Sequence, residues 1–444
     1  MKRGVRPFRQ IGLVLAVIIL GGLAFGPQVA PTFATDDTVF ATPKDPHGVA
    51  AGFDPTGTRP RIYVTSCRNP RRIVYIESDG RERRFHTLPN RSGDCVRDDI
   101  AVAPGGKLDA FGENYVFVTQ ANVIYKITPD GRTRTTFATI DDPLVPTDTC
   151  TAVSSYITFD DIGTPGDANT FENDMLAVCS GQVWRIKPNG TVVFVANTAQ
   201  SIQGPAVVPE SFAPAPGQLL VAVPSTGNIL SVSPGGVVNF VASWSGAKEL
   251  HVSPAQVCGL GPVSQPELDR ASFFMARTAR DEIRRLKKSV FDGQGGRVLV
   301  TSDGLFGNAT EIGAFSGSSV VAFHTLNFAQ DGGSAEFCPR LRVKIFIKPG
   351  TYRRYEPESN GKIPVVIFGT DSFDVTKIQE STLRFGDTGD EPSFSHCDSS
   401  LQDVNGDGFL DRKCHFNFGQ TQLDPTDTQA WLTGFINPPF EGND

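Results

Sequence analysis

A strand–turn–strand unit recurs four times in the first half of the chain, and this repeat constrains the fold more than any single motif. Each copy has two alternating apolar runs joined by a dipeptide that ends in glycine. The copies are IVYIESDGRERRFHTL from Ile73, VIYKITPDGRTRTTFATI from Val123, QVWRIKPNGTVVFVANT from Gln182 and NILSVSPGGVVNFVASW from Asn228. Alternation predicts half-buried strands, and the dipeptides tolerate positive φ in a two-residue turn. We therefore predict four β-hairpins.

Other strand-like phrases precede each hairpin. A second strand is predicted in RIYVTS, NYVFVTQ, DMLAVCS and QLLVAVP, and an inner strand in HGVAAGFDP, DDIAVAP, GPAVVP and ELHVSP. Four antiparallel strands repeated around an axis form a β-propeller, in which the blades bury their faces against one another. The sequence therefore predicts an all-β protein with a β-propeller over residues 35–340. Five to seven blades fit this length, and six fit best.

Later segments follow the repeat less regularly. SFFMARTARDEIRRL, GGRVLVTS and SSVVAFHTLN are interpreted as degenerate later blades. The basic stretch RTARDEIRRLKK is compatible with a helix, but Phe273, Phe274 and Ile283 are also spaced for strands with one solvated face. We favour strands.

Two phrases of the repeat resemble a known family. YVFVTQANVIYKITPDG and GPAVVPESFAPAPGQLLVA are similar to NHL-type and gluconolactonase-like six-bladed propellers of secreted bacterial proteins. The resemblance covers most of residues 40–330, and its motifs are architectural. It implies a fold rather than an activity.

The repeat stops near Pro339, which predicts a separate module over residues 341–444. Its phrases resemble a small β-sandwich-like domain of uncharacterised function that ends many secreted bacterial proteins. The matching phrases are IKPG from Ile347, GKIPV from Gly361, FGT from Phe368, FDV from Phe373, LRFG from Leu383, DVNGDGFLD from Asp403 and LTG from Leu432. The resemblance implies a calcium site in the Asp-rich loop.

The Asp-rich loop 403–411 also indicates calcium by its spacing. Oxygen-bearing side chains alternate as in an EF-hand loop, with a glycine at the sixth position and a backbone carbonyl at the seventh. The predicted calcium ligands are Asp403, Asn405, Asp407, Phe409 through its carbonyl, and Asp411. Closely spaced acidic and amide groups would repel one another without a cation, whereas a plain turn that binds nothing is the alternative.

The twelfth position of the loop is Cys414 rather than the bidentate glutamate of an EF-hand. Because the flanking segments lack the pattern of amphipathic helices, we expect a structural calcium ion and no sensor. Asp374, Asp387 and Asp427 are candidates for the missing carboxylate, although each is also typical of a turn.

The N-terminus has the form of a secretory signal peptide over residues 1–34. Basic residues precede an apolar run from Ile11 to Phe25, and Thr32-Phe33-Ala34 offers a cleavage site. An uncleaved membrane anchor is the alternative, but the run is shorter than the roughly 20 residues of a membrane span. We expect a protein that is secreted, periplasmic or on the cell surface.

Eight cysteines without a Cys-x-x-Cys pair indicate disulfides in an exported protein. Sequence does not determine their connectivity. Pairing of nearest neighbours would connect adjacent strands, which predicts Cys67–Cys95, Cys150–Cys179, Cys258–Cys338 and Cys397–Cys414.

The net charge of the chain disfavours some classes of binding partner. The formal net charge is −7 although four basic residues lie in the N-terminal segment. An acidic chain without a basic patch disfavours nucleic acid and anionic membrane surfaces. We expect a monomer that binds a glycan, a peptide or a surface component.

No nucleophile elbow, zinc-protease motif or phosphate-binding loop is present. His47, Asp99, Glu249 and Glu311 lie at or near inner-strand starts, where a carboxylate ring could hold a divalent cation that polarises a lactone carbonyl. Related hydrolase propellers have Glu-Gly-Pro where this chain has Gln203-Gly204-Pro205. We therefore predict a binding protein, with a metal-dependent lactonase or esterase and a purely structural matrix component as alternatives.

Overall fold

Six four-stranded antiparallel sheets account for the repeat in the computed structural model. The structure describes residues 36–57, 59–68, 70–89, 98–104, 110–141, 150, 155–160, 170–254, 259–261, 265–302, 309–328, 334–339, 343–347, 361–370, 373–387, 391–424 and 430–436. The strands of the six sheets are β1 (Asp37–Ala41), β2 (Pro46–Phe53), β3 (Pro60–Ser66), β4 (Arg72–Ile76), β5 (Glu82–Thr87), β6 (Ile100–Val102), β7 (Val116–Gln120), β8 (Val123–Ile127), β9 (Arg134–Thr139), β10 (Ser155–Phe159), β11 (Met175–Cys179), β12 (Gln182–Ile186), β13 (Val192–Asn197), β14 (Gln203–Val207), β15 (Leu219–Val223), β16 (Asn228–Val232), β17 (Val238–Ser243), β18 (Ala247–Val252), β19 (Ala271–Arg277), β20 (Glu282–Lys287), β21 (Val298–Ser302), β22 (Thr310–Ser316), β23 (Ser319–Leu326) and β24 (Ala335–Phe337).

The first four sheets follow the sequence directly. Each consists of four consecutive strands, and we number them blade 1 (β2 to β5), blade 2 (β6 to β9), blade 3 (β10 to β13) and blade 4 (β14 to β17). The predicted second strands and hairpins are all present at the expected places. The inner strands of blades 1, 2 and 4 were predicted, whereas β10 was not.

The last two sheets interleave in sequence. Blade 5 has the order β18-β21-β22-β23, and blade 6 has the order β24-β19-β20-β1. After β18 the chain crosses to blade 6 for the β19–β20 hairpin and then returns to blade 5. The later blades are therefore complete sheets rather than degenerate ones, and the N-terminal strand closes the ring. The basic stretch RTARDEIRRLKK forms strands on either side of a 3-10 turn at Thr278–Arg280. The preference for strands over a helix is therefore confirmed.

The hairpin turns differ from the prediction of two-residue loops. In blade 1 the amide of Gly80 donates to the carbonyl of Glu77, and Glu77 itself pairs with Arg81. The loop is thus a turn of ordinary φ followed by one glycine in the left-handed region, a common three-residue hairpin loop. Positive φ is confined to the second residue of each dipeptide: Gly80, Gly131, Gly190 and Gly236. The carboxylate of Asp79 accepts the Arg81 amide at 2.9 Å, which satisfies the donor that the turn leaves open.

The core lies between neighbouring blades. The described apolar residues of the propeller form six clusters, each shared by two adjacent sheets. Phe117 and Trp184 belong to the cluster between blades 2 and 3. Ile62 and Phe274 belong to the cluster between blades 1 and 6, which completes the circle. Because every blade face is covered by the next blade, the all-β propeller with six blades is confirmed.

The C-terminal module has its own core. It consists of β25 (Ile345–Ile347), β26 (Lys362–Ile367), β27 (Ile378–Gly386), β28 (Phe394–Cys397), β29 (Arg412–Asn417) and β30 (Trp431–Ile436). One sheet has the order β25-β26-β29-β28, and β27 pairs with β30. The rings of Phe385 in β27 and Phe416 in β29 lie 5.0 Å apart, so the two sheets face each other across one apolar cluster. The predicted small β-sandwich-like module is thereby confirmed, whereas its exact boundary at residue 340 stays a prediction.

Helical structure among the described residues is limited to 3-10 turns, and none of these could span a membrane. The predicted signal peptide, residues 1–34, lies outside the described residues. Its cleavage or retention therefore stays a prediction.

Candidate metal loop and channel site

The Asp-rich loop is folded around the carboxylate of Asp403. Asp403 Oδ1 accepts the amides of Gly406 at 2.7 Å and Asp407 at 3.2 Å, and Oδ2 accepts the amide of Gly408 at 2.9 Å. Gly406 and Gly408 have φ angles of 77° and 92°, which let the backbone turn inward. Gln402 and Asp411 pair at the base of the loop. Gly408, at the sixth position of the loop, therefore lies at a turn of the backbone.

The next two predicted ligands lie beside Asp403. Asn405 Oδ1 accepts the Asp407 amide at 3.1 Å, the same amide that Asp403 Oδ1 contacts. Asn405 Nδ2 donates to Asp407 Oδ2 at 2.8 Å. Side-chain oxygens of three residues thus surround one exposed stretch of backbone. Oxygen donors of this kind suit a hard cation such as Ca²⁺.

The last two predicted ligands differ from each other. Phe409 is exposed, and its amide donates to Asp407 Oδ1 at 2.9 Å. Asp411 is only 1% exposed: its Oδ1 accepts the Gly369 amide at 2.9 Å, and its Oδ2 accepts the Val404 amide at 2.7 Å. Asp411 thus connects the loop to the segment that follows β26. Among the described residues, the carboxylate oxygens of Asp403, Asp407 and Asp411 do not form a cluster in which all three lie within 4.8 Å of one another.

By donor type, Asp403, Asn405 and Asp407 fit a calcium ion, and calcium binding stays a prediction. Two of the three candidates for the missing carboxylate, Asp374 and Asp387, lie among the described residues. Asp374 caps a 3-10 turn, since its Oδ1 accepts the Thr376 amide at 2.9 Å, which agrees with the turn alternative. The amide of Asp387 donates to the carbonyl of Thr421. Asp427 lies outside the described residues.

The predicted disulfides Cys150–Cys179 and Cys397–Cys414 are confirmed. The second connects β28 to β29, in which the two cysteines are directly opposite each other. Cys67 and Cys338 are also disulfide-bonded. Their predicted partners, Cys95 and Cys258, lie outside the described residues, so those two pairings stay predictions.

The inner strands of all six blades surround a central channel with a volume of about 240 Å³. Of the residues predicted to form a carboxylate ring, Asp99 and Glu249 line this channel. Glu336 of blade 6, which was not predicted, lines the channel as well. Glu311 lies on β22, the third strand of blade 5, and is therefore not part of the ring.

Asp99 connects blade 2 to blade 3. Its Oδ2 accepts the amide of Ile157 on β10 at 2.8 Å. Burial, together with the negative charges of Glu249 and Glu336, raises the pKa of Asp99 to about 7, although amide hydrogen bonds act in the opposite direction. A carboxyl group of this pKa can both donate and accept a proton near neutral pH.

Glu249 and His251 alternate on β18 and face blade 6. Glu249 Oε2 accepts the amide of Ala335 on β24 at 2.8 Å. His251 Nε2 lies 3.7 Å from Glu249 Oε2, which is too far for a hydrogen bond. The His251 ring packs edge-on against Phe273 at 5.1 Å. Its Nε2 is buried and has no hydrogen-bond partner among the described residues.

The remaining residues of interest have local partners. His47 Nε2 lies 3.3 Å from Asp45 Oδ1. The neighbouring Cys67 sulfur is in a disulfide and is therefore no thiolate ligand. Gln203 accepts a 2.6 Å hydrogen bond from the hydroxyl of Tyr156. This bond connects blades 3 and 4, so Gln203 has a structural role.

His251 and Glu336 were missed for different reasons. His251 lies in ELHVSP, already predicted as an inner strand, and its two-residue spacing from Glu249 would have placed both on one face. Glu336 lies in β24, whose three residues, AEF, are too few to show an alternating pattern. Only the sheet order assigns it to the channel.

Comparisons with known proteins find similar solved structures only at low identity. No protein-family model and no curated protein matches the sequence. Similar solved structures include a streptogramin B lyase, 13% identical over 68% of this chain and 94% of that chain, with a TM-score of 0.37. A gluconolactonase from Xanthomonas campestris is 12% identical over 56% of this chain and 89% of that one, with a TM-score of 0.29. The SapL1 lectin, solved with alpha methyl fucoside, is 12% identical over 74% and 90%, with a TM-score of 0.30. At these values the likenesses support no conclusion about activity or ligand.

Proposed function

We propose that this chain is an exported binding protein whose propeller channel receives a polar group of a glycan, a peptide or another surface component. The C-terminal module is a calcium-stabilised accessory. Disulfides support export, because they persist in oxidising compartments. The acidic net charge favours a partner other than nucleic acid.

The observation on which this proposal depends is the buried Nε2 of His251 beside Glu249 in the channel. An unpartnered polar atom in a buried position costs free energy unless water or a ligand satisfies it. The 3.7 Å gap to the carboxylate leaves donor and acceptor groups adjacent but unbonded to each other. A hydroxyl or an amide of a ligand can bridge such a pair, since each offers both a donor and an acceptor.

Calcium in the loop 403–411 would have a structural purpose. The loop joins β28 to β29, and Asp411 fastens it to the Gly369 amide. A cation held by Asp403, Asn405, Asp407 and the carbonyl of Phe409 would screen the exposed carboxylates, with Asp411 as the remaining predicted ligand. High extracellular calcium would keep even a weak site occupied.

The test is a glycan and peptide array probed with the purified chain, followed by calorimetric titration of each hit. Glu249→Gln retains an acceptor for the Ala335 amide, and His251→Phe retains the ring packing, so both variants should fold. We expect each to weaken binding about 10-fold or more. His324→Phe, the same change on the outer strand of blade 5, is the matched control and should bind like the parent. Equal affinity of all four proteins, or no hit, contradicts the proposal.

A hydrolase that uses the channel is the second candidate, and the pKa of Asp99 favours it. A carboxyl group near pKa 7 is suited to general acid or base catalysis. Lactone and ester panels, with and without divalent cations, test this candidate. Turnover lost in both Asp99→Asn and Glu249→Gln would favour a hydrolase over a binding protein.

A further inference from the structure

Two histidines of the C-terminal module are directly opposite each other on neighbouring strands. His396 in β28 pairs with His415 in β29. Their rings are parallel, with centroids 4.6 Å apart and an interplanar angle of 5°. Parallel rings at this distance attract each other when they are offset, whereas two protonated imidazoles would repel each other.

A carboxylate completes the group. Asp398 Oδ1 lies 3.0 Å from His415 Nε2. Ligand atoms of His396, Asp398 and His415 all lie within 4.8 Å of one another. Bonds of about 2.0–2.2 Å to a Zn²⁺ ion place tetrahedral ligand atoms roughly 3–4 Å apart, so only small side-chain movements are needed.

Neighbouring groups orient these three side chains. Lys413 Nζ is 2.7 Å from Asp398 Oδ2, which leaves Oδ1 on the side of His415. Ser395 Oγ lies 3.2 Å from His396 Nδ1, and a hydrogen bond donated by Nδ1–H would leave Nε2 to bind the metal. Hydrogen-bonded partners of this kind fix the orientation of metal ligands.

The disulfide Cys397–Cys414 occupies the strand pair next to the two histidines. It fixes the register of β28 against β29 covalently, so His396 and His415 remain opposite each other before any ion binds. Ordering the ligands in advance reduces the entropy cost of binding. The disulfide therefore orders the two histidines for metal binding in addition to connecting the two strands.

We propose that His396, Asp398 and His415 form a binding site for a borderline divalent cation such as Zn²⁺, separate from the calcium loop and from the channel. Two imidazoles and one carboxylate suit Zn²⁺ and not Ca²⁺, which prefers oxygen ligands alone. Three protein ligands leave a fourth position for water. The cation takes the place of the hydrogen between His415 Nε2 and Asp398 Oδ1, so His415 binds as the neutral tautomer whose hydrogen is on Nδ1.

The experiment uses the full, oxidised chain purified without a histidine tag and saturated with calcium. Zn²⁺ is titrated by calorimetry, and Co²⁺ by its visible absorption. We expect one ion per chain. His396→Asn and His415→Asn should each weaken Zn²⁺ binding about 100-fold or more, and Asp398→Asn about 10-fold or more. The scale is set by residues that only hydrogen-bond to a metal ligand, whose loss weakens binding roughly 10- to 100-fold. His86→Asn, which removes a histidine of the propeller, should bind like the parent.

A second measurement needs no variant. Diethylpyrocarbonate modification mapped by mass spectrometry should show that Zn²⁺ protects His396 and His415 but not His86. The proposal is overturned if no stoichiometric binding occurs, or if both histidines remain reactive with Zn²⁺ present. Loss of Zn²⁺ binding in Asp407→Asn would also overturn it, because the ion would then be in the calcium loop.

Discussion

Asp37 and Arg284 form an ion pair across the seam that closes the propeller. The two residues are 247 positions apart, and Arg284 Nε lies 3.0 Å from Asp37 Oδ2. Asp37 belongs to the N-terminal strand β1, and Arg284 to the adjacent strand β20 of blade 6. Their side chains are 7% and 15% exposed, so the pair is largely shielded from water. The seam therefore depends on a partly buried charge pair as well as on strand pairing.

Asp37→Ala should lower the free energy of unfolding by about 2–3 kcal/mol, because it leaves a largely buried guanidinium without this partner. Glu282, 3.5 Å from Arg284 Nη1, limits the loss. Chemical denaturation measures the difference. Lys44→Ala removes the exposed ion pair with Asp281 at the same seam and should cost less than about 1 kcal/mol. Equal losses of unfolding free energy in the two variants would show that the buried pair stabilises the seam no more than the exposed pair does.

Gly131→Ala should destabilise the propeller by about 2 kcal/mol or more. Gly131 has a φ of +72°, and an added Cβ would lie 2.6 Å from the carbonyl oxygen of Phe85 on the outer strand of blade 1. Both the strained backbone and the clash contribute. Gly317→Ala is the matched control, since its φ is +60° and no atom lies within 4 Å of the added Cβ. It should cost about 1 kcal/mol. Thermal unfolding of the two variants distinguishes the effect of the clash between blades from the effect of positive φ, because only Gly131→Ala has both.

Stability should fall between about pH 4 and pH 7 because of Asp99. The folded state raises the pKa of this residue from 3.8 to about 7, so the folded chain binds a proton that the unfolded chain has already released over this range. Folding is therefore favoured below pH 4, and the contribution of up to about 4 kcal/mol is lost as pH rises through 7. Asp99→Asn cannot titrate, and its free energy of unfolding should change less with pH than that of the parent. Parallel curves for the two proteins would contradict the raised pKa.

Removal of calcium should lower the unfolding temperature of the C-terminal module. Binding stabilises the folded state by about 2–3 kcal/mol when free calcium exceeds the dissociation constant roughly 100-fold. Asp407→Asn removes one ligand charge and should abolish the response to a chelator, as followed by calorimetry. Asp79→Asn is a matched change in an exposed turn of the propeller, where Asn189 already occupies the equivalent place in blade 3. It should leave the response unchanged, and an unaltered response in Asp407→Asn would rule out calcium in this loop.

The sequence predicted the regular part of the fold because blades 1 to 4 are built from consecutive strands. Local alternation and the glycine dipeptides locate each hairpin without reference to the rest of the chain. The details of the turns were wrong because the dipeptides fit both two-residue and three-residue loops. In the structure, the side chains of Asp79 and Asn189 accept an amide two residues later, and only the following glycine adopts positive φ.

The Asp-rich loop was predictable for the same reason. Its residues are close in sequence, so their spacing alone brings Asp403, Asn405 and Asp407 together. Asp411 shows the limit of such spacing, because the buried hydrogen bond to Gly369 depends on a contact 42 residues away. The channel residues are a harder case, since β10 and β24 were not recognised as inner strands.

The sequence by itself determined that the chain is an all-β propeller with a small C-terminal β module, because alternation and turn chemistry are local properties. Only the tertiary structure decided how the ring closes, which carboxylates face the channel, and that His396 lies against His415. Each of these depends on pairing between strands that are distant in the chain or separated by a loop. Such pairing is determined by how much apolar surface the whole set of sheets can bury together, and no single segment of sequence contains that information.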